Sequence, residues 1–224
     1  MPSRLVQIGA VLADETRAEI LTALMDGRGR TSGELARFAG VAASTGSEHL
    51  SKLLDAGLVA VEAQGRHRYF RIANDEVATM LESLGAAAPV DAFRSRAPAA
   101  LTYARSCYDH LAGELAVLIY DRLVSDGHLD RVDDHLRISA SGTVLLTGLG
   151  IDTTILRSKG RPLVRSCLDW TQRRNHLAGA TGAALLGVFL ERGWVTRGTQ
   201  PRSIRLTRRG RTALKEYLGL PSLG

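Results

Sequence analysis

The chain has 224 residues, 45% of them apolar and 23% charged, with a net charge of +6. That length holds one large domain or two small ones, no apolar run reaches the ~18 residues of a membrane-spanning helix, and two cysteines exclude a disulfide framework and fit a reducing compartment. The opening Met-Pro-Ser-Arg-Leu-Val-Gln lacks the apolar core of a signal peptide, so a cytoplasmic protein is expected. The charge is uneven: residues 1–90 carry 9 basic and 11 acidic side chains, residues 91–224 carry 20 and 12, and the excess concentrates in 156–215. Such a basic stretch fits phosphate contact, or equally a solvated Arg-rich surface.

Residues 4–12 read as a short apolar helix, suited to packing or to dimerisation. Asp14 is placed to cap the next helix, Glu15 to Met25, where Ile20, Leu21 and Leu24 share one face. Asp26-Gly-Arg-Gly is a turn. Thr31, with Glu34 three residues on, predicts a capping box for a short helix with Leu35 and Phe38 as core contacts. Gly40-Val41 turns into the stretch that organises the chain, Ala42 to Val59. Leu50, Leu53 and Leu54 fall at i, i+3 and i+4 and share a buried face. Ser44, Thr45, Ser47, Glu48, Ser51 and Lys52 lie off that stripe; most are groups that bond phosphates and base edges. Gly57 ends the helix. A hairpin follows, Leu58 to Ala63, a tight Gln64-Gly-Arg-His67, then Arg68 to Ile72. A helix followed by a basic-tipped hairpin is a winged helix-turn-helix, and predicts a DNA-binding transcription regulator.

These motifs resemble the ArsR family of winged-helix repressors between about Leu5 and Leu84. The resemblance is carried by Asp14-Glu-Thr-Arg-Ala-Glu-Ile-Leu21, Thr31-Ser-Gly-Glu-Leu-Ala36, Ser44 to Leu54, Ala56-Gly-Leu-Val59 and the wing Gly65-Arg-His-Arg-Tyr-Phe-Arg71. It implies a homodimer that binds an inverted repeat in double-stranded DNA and is released when an effector binds. Carried over by residue, it places Ser44, Thr45, Ser47, His49 and Lys52 at the major groove, and Arg66, His67 and Arg68 of the wing at the flanking minor groove or backbone. The alternative for His49 is a buried, hydrogen-bonded histidine; for Ser44 and Ser47 it is plain surface. Two residues depart from the family pattern. Ala42 stands where a Ser N-cap is usual, a loss of about 1 kcal/mol, and Glu48 puts a carboxylate near phosphates, unless it accepts from a cytosine amino group. The metal sites of the family's best-known members do not carry over, because residues 31–41 hold no Cys and residues 74–84 no His.

Residues 86–103, with Pro89 and Pro98, read as a hinge or linker between a domain at 1–85 and a regulatory or dimerisation domain at 104–224. The second domain contains an internal repeat, 107–151 and 167–220. His110-Leu-Ala-Gly113 recurs as His176-Leu-Ala-Gly179; each copy continues into an apolar helix, a Gly turn (Gly127, Gly193), a strand pattern (Leu136-Arg-Ile, Ile204-Arg-Leu) and a further helix. Thr181-Gly182 to Val195 also echoes Thr45-Gly46 to Val59, which matches Arg202 with wing residue Arg66. The expected fold is therefore mainly α with small β-hairpins (α+β): an N-terminal winged helix-turn-helix and a C-terminal helical domain of duplicated winged-helix-like units. Longer ArsR-like regulators have a similar tail, with a Cys-x-Asp motif ahead of the second His-Leu-Ala-Gly, and that likeness names no effector.

Cys107, His110, Cys167 and His176 are the candidate metal ligands. Cys107 and His110 are one helical turn apart, and convergence of the two repeats would assemble a tetrahedral site for zinc or another soft metal, with Asp109 and Asp169 as ligands or as partners orienting the histidines. Alternatives are a redox thiol switch and structural roles, with buried cysteines and capping histidines. Trp170, Trp194, Tyr103, Tyr108 and Tyr120 read as core in preference to an organic ligand pocket. The basic run Arg197 to Arg211 reads either as a second wing on phosphate or as a solvated hairpin. No phosphate loop, GxSxG or HExxH is present, so no enzyme is expected, and Thr147-Gly-Leu-Gly150 is a weak nucleotide signal inside an expected helix. The leading reading is a dimeric repressor controlled by a small-molecule or metal effector. The alternative is an architectural DNA-binding protein without an effector.

Overall fold

Capping side chains set the helices of the first part. In the computed structural model, which describes residues 3–64, 67–87, 99–132, 135–158 and 160–220, α1 (Arg4–Leu12) starts at Ser3, whose hydroxyl accepts from the Val6 amide. α2 (Glu15–Leu24) starts at Asp14, which accepts from the Arg17 amide. The two-residue strand β1 (Arg30–Thr31) leads into α3 (Ser32–Phe38), where the expected capping box forms. The Glu34 carboxylate accepts from the Thr31 amide at 2.8 Å, and the Thr31 hydroxyl accepts from the Glu34 amide. α4 (Ala43–Asp55) starts at Ala42 with no side-chain cap. Gly57, at φ 68°, turns the chain into β2 (Val59–Gln64) and β3 (His67–Ile72), and α5 (Asp75–Ala87) follows.

β2 and β3 pair antiparallel from Val59↔Ile72 to Gln64↔His67, and β1 adds to the far edge of β3. Ile20, Leu21, Leu24, Leu35, Leu50, Leu53, Phe70 and Ile72 form the buried core, each contributing roughly 1.5–3 kcal/mol by leaving water. Leu54 is only partly covered. Phe38, expected in the core, is 37% exposed; it is the last residue of α3 and sits at the helix end.

The chain divides into two compact units, Met1–Leu81 and Glu82–Gly224, with the division inside α5. Of the stretch 86–103, residues 86 and 87 end α5, residues 99–103 form α6 (Ala99–Tyr103), and 88–98 lie outside the described residues. The second unit repeats one pattern. A hairpin of β4 (Arg105–Cys107) and β5 (His110–Ala112) leads to α7 (Glu114–Ser125), then a hairpin of β6 (Leu129–Val132) and β7 (His135–Ile138), then α8 (Ala140–Gly148). After a short α9 (Thr153–Arg157), the order recurs: β8 (Arg165–Leu168), β9 (Asn175–Ala178), α10 (Gly179–Glu191), β10 (Val195–Arg197), β11 (Ile204–Leu206), α11 (Arg208–Leu218).

Equivalent caps recur in the two copies. Ser139 and Thr207 each accept from the amide three residues on and donate to the carbonyl of the preceding turn glycine, Gly127 or Gly193. Gly142 and Gly210, one helical turn into α8 and α11, are pressed against the carbonyls of His128 and Trp194, where a Cβ has no room. The two copies interlock. α7 packs on β9, α10 packs on β5, and β5 lies against β9. Leu115, Ile119, Leu149, Leu177, Phe189, Trp194 and Leu214 fill the shared core.

Among the five aromatic candidates, Trp194 makes tilted ring contacts with Phe189 and Tyr217 at 5.3 Å, Tyr120 hydrogen-bonds Ser166 at 2.9 Å, and Trp170 lies under the Arg105 guanidinium. They are distributed through the packing. A small apolar recess nearby is lined chiefly by aliphatic residues, among them Leu111, Leu177 and Leu186.

Candidate DNA-binding face and a cysteine–histidine centre

α4 buries Gly46, Leu50 and Leu53 and leaves Ser44, Ser47, Glu48 and Lys52 exposed, with Thr45 half-covered. Gly46 permits the close seat of this helix: a Cβ there would lie 2.7 Å from Ala36 Cβ on α3. Ser47 accepts or donates with Ser32 at 3.0 Å and donates back to the Ala43 carbonyl. Lys52 donates to Glu48 at 2.8 Å, one turn earlier. In the wing, His67 and Arg68 are exposed, and Arg68 lies over the Phe70 ring. Arg66 lies outside the described residues.

His49 departs from the expected groove-facing set. Its Nδ1 sits 3.5 Å from the Asp14 carboxylate and 3.4 Å from the Arg17 guanidinium, and its side chain is 14% exposed. One residue from Leu50, it turns toward α2 and ties the start of that helix to α4.

The expected match of Arg202 to a wing tip is also corrected. Arg202 is buried, holds φ 67°, donates to the Ser106 carbonyl and pairs with Glu82 at 2.6 Å, so it joins β4 to the turn before β11. Arg197, Arg205, Arg208, Arg209 and Arg211 of the same basic run are exposed.

Cys107, His110, Cys167 and His176 converge, by a different local route from the one the spacing predicts. Cys107 and His110 are not on a helix. They are directly opposed on the β4–β5 hairpin, and Cys167 and His176 are directly opposed on β8–β9. The short linking turn forces Tyr108 to φ 56°, outside any helix. The cysteines are 60 residues apart and the histidines 66, because the second hairpin loop is six residues longer; register, not spacing, makes them equivalent. Cys107 Sγ is 3.9 Å from Cys167 Sγ, His110 Nε2 is 3.1 Å from His176 Nε2, and one ligand atom from each of the four lies within 4.8 Å of all the others.

Carboxylates stand behind both imidazoles. Asp109 is 3.3 Å from His110 Nδ1 and is held by Arg161 at 2.6 Å. Asp169 is 3.7 Å from His176 Nδ1, pairs with the fully buried Arg105 at 3.0 Å and accepts from the amides of Gly113, Thr171 and Gln172. Burial pushes Asp169 up, but Arg105 and these donors outweigh it and hold the carboxyl at about 2. Burial likewise opposes ionisation of Asp109, and His110 and Arg161 override it. Burial drives the Cys107 thiol up, whereas the hydrogen bonds from Cys107 and the two histidines favour the Cys167 thiolate.

Sequence reasoning passed over Arg105 and Arg161. For Arg105 a signal existed: Arg105-Ser-Cys-x-Asp109 recurs as Arg165-Ser-Cys-x-Asp169, which marks the two hairpins as copies. No comparable pattern marks Arg161, which reaches Asp109 through the fold alone.

A helix-turn-helix domain model matches residues 12–62. The chain is 40% identical to the uncharacterised HTH-type transcriptional regulator YdfF of Bacillus subtilis, over 98% of this chain and 99% of that protein. It is 40% identical to the HTH-type transcriptional regulator CmtR of Mycobacterium tuberculosis over 82 residues, 37% of this chain and 69% of that one. Among solved structures, it is similar to the homodimeric winged helix-turn-helix DNA-binding domain of Mb0332 from Mycobacterium bovis, with 27% identity and a TM-score of 0.38 over 42% of this chain and 87% of that one.

Proposed function

Because the chain belongs to the ArsR-type winged helix-turn-helix transcriptional regulators, we propose that it is a cytoplasmic homodimeric repressor, that it reads an inverted repeat through α4, and that an effector engaging residues 104–224 releases it. The observation that carries the reading is the exposed hydroxyl-and-cation face of α4, Ser44, Ser47 and Lys52, immediately ahead of a wing that exposes His67 and Arg68. Hydroxyls and a cation on one face supply the phosphate and base-edge contacts that a groove-seated helix makes. His49, tied to Asp14, acts as a support for that helix. Leu5 and Val6, 80% and 59% exposed on α1, offer apolar surface for a second copy, and the Mb0332 domain is itself homodimeric. The effector role of the second unit is supported by its size and its own duplicated core.

Fluorescence anisotropy on the DNA upstream of the protein's own gene, against a scrambled duplex, tests this. Tight binding to the first alone, at one dimer per inverted repeat, is expected. Equal binding to both, fading steeply with salt, is the behaviour of an architectural protein and would overturn the repressor reading.

A further inference from the structure

We propose that Cys107, His110, Cys167 and His176 hold a single zinc ion as a closed structural centre that fastens the two interlocked halves of the second unit. This goes beyond DNA binding and does not depend on it.

The geometry fits one tetrahedral ion. Around zinc, two thiolates at ~2.3 Å stand ~3.8 Å apart and two imidazole nitrogens at ~2.0 Å stand ~3.3 Å apart; the observed separations are 3.9 Å and 3.1 Å. The ligand chemistry selects the same ion, since a two-sulfur, two-nitrogen tetrahedral set suits zinc, and four protein ligands leave no open position. Two thiolates and Zn2+ also sum to zero charge, which lowers the cost of burying the centre.

The imidazoles supply an independent argument. His110 Nδ1 lies 3.3 Å from the Asp109 carboxylate, which favours a proton there and turns Nε2 inward, whereas His176 Nδ1 is buried 3.7 Å from Asp169 with no hydrogen-bond partner. The two Nε2 atoms meet at 3.1 Å in a buried place, a separation that suits either one N–H···N hydrogen bond or two nitrogens on a single ion. A cation between them replaces that one hydrogen bond with two coordination bonds and frees a proton for the unpartnered His176 Nδ1. Both carboxylates are themselves held, Asp109 by Arg161 and Asp169 by Arg105, so His110 is aimed by its hydrogen bond to Asp109 before the ion arrives.

The placement explains what the ion does. Each half contributes one Cys and the His opposite it in register, from hairpins whose β5 and β9 strands already touch. The ion therefore closes a link between residues 60 and 66 positions apart.

The test uses the full-length protein purified under reducing conditions. Elemental analysis is expected to find about one zinc per chain, and Co2+ added to the chelator-stripped protein to give the intense visible bands of tetrahedral cobalt–thiolate at about one equivalent. The stripped protein should unfold at a lower temperature and recover when zinc is restored. The C167S and H176Q variants should lose the metal. A wild-type protein that carries no zinc and yields no cobalt–thiolate spectrum would overturn the proposal, without recourse to any variant. So would full zinc occupancy in both variants. DNA affinity on the same samples stands apart from either result.

Discussion

Lys52 on α4 is already paired within its own helix. Glu48, one turn before it, accepts its ammonium at 2.8 Å, and both side chains stand largely in solvent. An exposed pair of this kind contributes little to folding, but it withholds a cation from phosphate. Glu48→Gln should therefore tighten operator binding by on the order of 1 kcal/mol and steepen its salt dependence, while leaving thermal stability nearly unchanged. Lys52→Ala should weaken binding across sequences and flatten the salt slope by about one phosphate contact. A salt series of anisotropy titrations reads both. Thr31 makes the opposite case, a residue that acts on the fold. Its amide and hydroxyl hold the Glu34 carboxyl below the usual range. A depressed folded-state pKa contributes stability above the unfolded value of ~4.3 and loses it as pH falls through the lower folded value. Thr31→Ala should lower stability at neutral pH by about 1 kcal/mol, and the gap from wild type should narrow on the acid side of that window in denaturant titrations.

At the level of elements, a glycine decides how α4 is seated. Ala is the better helix former by about 1 kcal/mol, so propensity alone predicts that Gly46→Ala stabilises. The neighbouring Cβ of Ala36 at 2.7 Å cannot rotate away, and overpacking of this kind costs typically ~1–3 kcal/mol. The steric cost wins: Gly46→Ala should lower the melting temperature by several degrees and weaken DNA binding further by shifting α4 on α3, whereas Gly33→Ala, with open space around its Cβ position, should not. The same contrast explains what the sequence made legible. Local chemistry was readable: the Asp14 cap, the Thr31–Glu34 box, the missing cap at Ala42, the Gly57 stop and the wing register all follow from residues within a turn of each other. Non-local chemistry was not. Cys107 and His110 have helical spacing, yet a two-residue turn makes them cross-strand partners, and their meeting with Cys167 and His176 depends on interlocked hairpins that no local period reports. Arg202 reads as a wing cation from its position in a basic run, and only the fold supplies Glu82 to bury it.

At the level of the whole molecule, two units with separate cores imply two unfolding events. The second unit carries its own point of vulnerability in the Arg105–Asp169 pair, both side chains with no exposure. Arg105 also donates to the Leu101 carbonyl and to Thr171 and stacks on Trp170, while Asp169 gathers amides from both sides of the interlock. Removing one member of such a pair strands the other as an uncompensated buried charge, at ~3–5 kcal/mol. In Arg105→Leu the loss falls on residues 82–224 alone. For a unit of this size, ~1 kcal/mol moves the melting point by roughly 2–4 °C, so calorimetry should show one transition lowered by about 10 °C and the other, belonging to the DNA-binding unit, unmoved. Operator binding below the lowered transition should match wild type. A single transition that shifts as one would mean that the two cores unfold together, and would remove the separation on which independent control of the DNA-binding unit depends.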